Sequence, residues 1–180
     1  MVRKTISFFL LFGALFSFGG CGSEGDDDNF ESPEITDMDL EEEAIRPLEG
    51  TVLAVEFSFD RSNVFDDNDE VAVVVRLPNG IIYREGTAEI DEDSGGDNGV
   101  NPETTLCSDG TAFVRFNFDE NDLSGAEDPD GDGDARLTLT IDALRVLGSA
   151  VIEARADENS APFGCNGSFL AEDRVVLTVL

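Results

Sequence analysis

"ARLTLTID", residues 135–142, decides the fold. Leu137, Leu139 and Ile141 fall on one side of an extended chain, and Arg136, Thr138 and Thr140 on the other. Successive side chains of a strand point to opposite faces, so a period of two marks a strand with one face in a core and one in water. The pattern recurs along the chain. In "TVLAVEFSFD", residues 51–60, Val55, Phe57 and Phe59 alternate with Glu56 and Ser58. In "GTAFVRFNFD", residues 110–119, Val114, Phe116 and Phe118 oppose Arg115 and Asn117. "SAVIEARA", residues 149–156, turns Ala150, Ile152 and Ala154 inward, and "DRVVLTVL", residues 173–180, does so with Val175, Leu177 and Val179.

"EVAVVVRL", residues 70–77, is apolar on both faces, which predicts a central strand. Pro78-Asn79-Gly80 follows, a turn signal that predicts a hairpin into "IIYRE". "IDALRVLGS", residues 141–149, has room for a helical turn. The fold class is therefore all-β, with about seven antiparallel strands. Such a set resembles an immunoglobulin-like β-sandwich, with a jelly roll or small barrel as the alternative. The chain has no Trp, and its cysteine spacing does not match an antibody-type inter-sheet bridge.

The 180 residues fit one domain with appendages. Residues 22–48 are dense in acid and poor in aliphatics, which predicts a flexible acidic tether over 21–48, with the sandwich at 49–180. "DMDLEEEAI" within it has the makings of a transient helical turn. At the start, Arg3 and Lys4 precede the 14-residue apolar run "TISFFLLFGALFSF". That run is within the range of a secretory signal and short for a transmembrane helix.

The apolar run ends in Phe18-Gly19-Gly20-Cys21. This resembles the lipobox of bacterial lipoproteins. The resemblance covers about the first 25 residues and implies cleavage after residue 20 and lipidation of Cys21, which becomes the new N-terminus. It implies a membrane partner through the lipid anchor, and Gly22 after the cysteine implies the outer membrane or cell surface. Several acyl chains, at roughly 0.8 kcal/mol per buried CH₂, hold a protein where one would not. With Cys21 lipidated, Cys107 and Cys165 remain to pair in an oxidising compartment. Their bond is worth about 4 kcal/mol on the chain-entropy model.

Charge and chemistry narrow the function. The chain holds 11 Lys+Arg and 40 Asp+Glu, a net charge of −29. Phosphate binding needs clustered cations, so nucleic acid is excluded as a partner. There is no His, and removal of residues 1–20 takes the only lysine, Lys4. A Ser nucleophile then lacks its usual base, and acid–base work falls to carboxylates alone. The reading is a non-catalytic binding or structural module with an unknown protein or glycan partner. A carboxylate-dependent envelope hydrolase and an accessory subunit of an envelope complex are the alternatives.

One loop has ligand chemistry. In "EDPDGDGDARL", residues 127–137, Asp128, Asp130, Asp132 and Asp134 alternate with Pro129, Gly131 and Gly133. Calcium takes six to eight oxygens, which carboxylates at every second position of a tight loop can supply. Asp128, Asp130, Asp132 and Gly133 match the first half of an EF-hand loop. Leu139 stands where its bidentate acid belongs, so the stretch resembles instead the looser Asp-rich calcium loops between strands of extracellular proteins. Asp119, Glu120 and Asp122 are candidates to complete that site, and Asp66, Asp67 and Asp69 form a second candidate.

Overall fold

The computed structural model describes residues 32–60, 70–91, 98–119, 122–123, 132–158 and 164–180. Twelve strands are present among them: β1 (Glu34–Leu40), β2 (Ala44–Ile45), β3 (Gly50–Asp60), β4 (Val71–Leu77), β5 (Ile81–Tyr83), β6 (Glu89–Asp91), β7 (Asn98–Gly99), β8 (Glu103–Leu106), β9 (Ala112–Phe118), β10 (Asp132–Ala143), β11 (Gly148–Glu158) and β12 (Asp173–Val179). They form two sheets. The first runs β1-β3-β10-β6-β7, with β5 also on β10, and the second runs β2-β12-β11-β4-β9-β8. Every pairing is antiparallel except β2 with β12. The two sheets are open, so the fold is a two-sheet sandwich and not a closed barrel.

The period-two faces meet in one core. Val55, Phe57, Leu137, Leu139 and Ile141 from the first sheet pack against Val73, Val75, Val114, Phe116, Phe118 and Ile152 from the second, all fully buried or nearly so. Phe57 and Phe118 stack across the layers with centroids 5.5 Å apart. β4 lies between β11 and β9, in the central place its composition predicts.

Four sequence expectations need correction. The acidic stretch does not continue as tether to residue 48, nor does "DMDLEEEAI" turn helically. Residues 34–40 pair with β3 along its length, and Ile35, Met38 and Leu40 enter the core. A register shift between Ile35 and Asp37 puts Ile35 out of step with Met38 and Leu40, which hid the strand from a period-two reading. The chain then crosses to the second sheet, where Ala44–Ile45 runs parallel to the end of β12.

The expected hairpin at Pro78-Asn79-Gly80 is instead a change of sheet. The turn closes, with Ile81 N–H donating to Pro78 O at 3.0 Å, and Gly80 takes a φ of 100°. However, both edges of β4 are already filled by β11 and β9, so β5 pairs with β10 in the other sheet. Finally, residues 141–149 hold no helical turn. Ile141 to Ala143 completes β10, and Leu144–Leu147 carries the chain across to β11.

Candidate functional site

The Asp-rich stretch is described only in part. Asp128 and Asp130 lie outside the described residues, as do Asp66, Asp67, Asp69, Glu120 and Cys21. Asp132 and Asp134 open β10, opposite Asp60 and Ser58 of β3, and Asp134 is exposed. Gly133 between them belongs to the strand rather than to a sharp turn. A Cβ there would stand 2.4 Å from Phe59 Cζ, so the aromatic ring on β3 requires the missing side chain. Asp119 and Asp122 cap each other: each carboxylate accepts the other's backbone N–H at 3.0 Å. Among the described residues no group of three or more acids or cysteines is placed to hold a metal ion.

A different site forms on the outer face of the second sheet. It begins in the β8–β9 hairpin, where Cys107-Ser108-Asp109-Gly110 turns the chain. Gly110 N–H donates to Cys107 O at 3.0 Å, and Cys107 N–H to Thr111 O at 2.8 Å. Gly110 has a φ of 87°, and Asn79 sits where its Cβ would be, so only glycine fits. The Asp109 carboxylate accepts Thr111 N–H at 2.9 Å. That bond, with a smaller contribution from the Arg76 charge, holds the Asp109 carboxyl below its ordinary value of 3.8.

A disulfide joins this hairpin to the segment before β12. Cys107 and Cys165 are bonded, with Cα atoms 5.4 Å apart. The segment carries Phe169 onto Phe113, ring edge to face at a centroid distance of 5.6 Å. Phe113, Val74 and Cys107 make a small apolar cluster separate from the main core. Between hairpin and segment lies an open cleft of about 320 Å³, walled by Arg76, Asp109, Phe113, Asn166 and Phe169. Arg76 itself donates to Glu153 on β11. The cleft thus offers a polar rim over an aromatic floor.

Sequence reading placed the two cysteines but missed the site they build. The available signal was Phe113, which is out of phase with Val114, Phe116 and Phe118 and so requires a cover on the outer face. Arg76 and Phe169 gave no signal, since their roles depend on strand order.

No protein-family model matches the sequence, and no curated protein matches it significantly. Solved structures do match. The pilus backbone protein RrgB of Streptococcus pneumoniae superposes with a TM-score of 0.51 at 12% identity, over 71% of this chain and 31% of that one. The fold is an immunoglobulin-like β-sandwich. A full-length structure of the same pilus protein gives 0.51 at 11% identity, over 71% and 23% of the two chains. This chain therefore spans less than a third of either pilus structure. AvmM, which catalyzes macrocyclization in alchivemycin A biosynthesis, matches at a TM-score of 0.42 and 12% identity, over 81% of this chain and 88% of that one.

Proposed function

We propose that this chain is an exported, lipid-anchored module of the bacterial cell envelope that binds or builds and does not catalyse. One observation carries the reading. The two inner faces complete the core, yet Leu48, Leu144, Val146 and Leu180 stay half or more exposed. All four sit at one end of the sandwich. Leu48 N–H donates to Ala143 O beside Leu144, and Leu180 N–H to Ile45 O. Grouped apolar exposure of this kind marks a contact surface. Leu48 also has a φ of 69°, a conformation leucine rarely takes.

The N-terminal strand enters at the opposite end, where Glu34 faces Ser58. Lipidated Cys21 would lie 13 residues before Glu34 (34 minus 21), a span of at most about 45 Å when fully extended. The described chain thus enters the sandwich at the pole away from the apolar end, an arrangement that suits a module presented outward to a protein or glycan. The pilus likeness supports this architecture at the level of fold.

Cell fractionation tests the anchor: Cys21→Ser is expected to move the protein from membranes to the soluble fraction, and retention in the membrane contradicts the reading. Calcium at Asp128, Asp130, Asp132 and Asp134 belongs to the same proposal. Added calcium is then expected to raise the melting temperature by several degrees, and the Asp130→Asn, Asp132→Asn variant to lose that response. An unchanged melt of the parent protein removes the metal from the account.

A further inference from the structure

We propose that residues 164–170 are a strap over the outer face of the second sheet, fastened by Cys107–Cys165 and released when a dithiol reduces that bond. Several observations converge. Val74 and Phe113 lie on the outer face, where strand side chains ordinarily meet water, yet they are 5% and 4% exposed. Their cover is the disulfide and Phe169. Among the described residues, the hydrogen bond within the strap, from Gly167 N–H to Gly164 O, stays inside it and ties it to neither sheet. Among the described residues, the strap's attachments to this face are thus the disulfide and the packing of Phe169 on Val74, Cys107 and Phe113. Leu170 beside Phe169, and Leu106 beside Cys107, are already more than 70% exposed, so the rim of the covered patch is apolar as well.

The chemistry balances simply. Two thiols of the reductant lose their protons and form its own disulfide. The electron pair cleaves the Cys107–Cys165 bond, and each released sulfur takes up one proton. Cys165 is the exposed sulfur residue and Cys107 the buried one, so attack falls on the Cys165 sulfur first. Freed at residue 165, the strap keeps the packing of Phe169 on Phe113 and its neighbours Val74 and Cys107. The packing of one part-buried side chain does not hold a seven-residue segment against its conformational entropy. The main core does not include the strap, so the sandwich outlasts its release.

Limited proteolysis with a chymotrypsin-type enzyme tests this on the whole chain, with and without dithiothreitol. Cleavage after Phe169 or Leu170 is expected to accelerate about tenfold or more on reduction, while bonds inside β3, β4 and β10 stay uncut. The Cys107→Ser, Cys165→Ser variant is expected to show the fast cleavage without reductant, and an apolar dye to gain fluorescence in both cases. Equal rates at Phe169 in oxidised and reduced protein would overturn the proposal. So would cutting of the core strands together with the strap, because the bond would then be a staple of the whole fold.

Discussion

Glu172 holds Ile35 across the edge of the sandwich. Its Oε2 accepts the Ile35 N–H of β1 at 2.9 Å and, at 3.0 Å, the Ala156 N–H of β11. One carboxylate oxygen thus ties a strand of the first sheet to a strand of the second. β12 begins only at Asp173, so Glu172 also satisfies the first β11 donor beyond the ladder. Replacing Glu172 by Ala leaves both donors without this acceptor and is expected to lower stability by about 1–3 kcal/mol. Glu172→Gln keeps an acceptor and should lose less. Thermal unfolding of the two variants checks the order; equal losses would show that the oxygen is not what matters.

Gly133 and Phe59 make the second prediction. Phe59 is buried and leans on Phe57, with ring centroids 6.2 Å apart, so it has little room to yield to a new Cβ. Gly133→Ala is expected to destabilise by about 1–3 kcal/mol through overpacking. The loss should be the same with calcium and with chelator, because the glycine serves the strand. A loss seen only with calcium would restore the loop reading of this residue.

Tyr83 is the chain's only tyrosine. Its ring meets Phe116 edge-on at 6.1 Å, while its buried hydroxyl has no hydrogen-bond partner among the described residues. A buried unsatisfied hydroxyl carries a desolvation penalty. Tyr83→Phe keeps the ring contact and removes that penalty, so the melting temperature is expected to hold or rise. A fall equivalent to more than about 1 kcal/mol would mean the hydroxyl has a partner after all.

Asp109 supplies the pH dependence. Its carboxyl titrates lower in the folded protein than its ordinary 3.8, because Thr111 N–H bonds the ionised form. A depressed folded value adds stability above the unfolded value and loses it as pH falls through the folded one. The stability difference between wild type and Asp109→Asn should therefore be constant above about pH 5 and shrink below pH 3.8. Paired melting curves across that range check it, and a difference that stays constant down to pH 2 would contradict it.

How much was legible in the sequence follows from these residues. Leu137, Leu139 and Ile141 declared their strand because the inner-outer alternation of β10 is local and uninterrupted. β1 was not legible, because a bulge near Thr36 breaks its period and its acidic outer residues read as tether. The destination of Pro78-Asn79-Gly80 was not legible either. A turn signal reports that the chain bends, whereas the partner of the next strand depends on which edges distant strands have filled. The same limit hid the cleft: Arg76, Phe113 and Phe169 lie far apart in sequence and meet through strand order and one disulfide. The cysteines themselves were visible because an odd thiol in an exported chain needs an explanation.

Intact-mass analysis of the protein purified from its native host tests the central claim most directly. The account predicts a mature chain beginning at Cys21, heavier than its sequence by the mass of the acyl groups, and lighter by two hydrogens for Cys107–Cys165. A chain with residue 21 unmodified, or with its leader still attached, would contradict it.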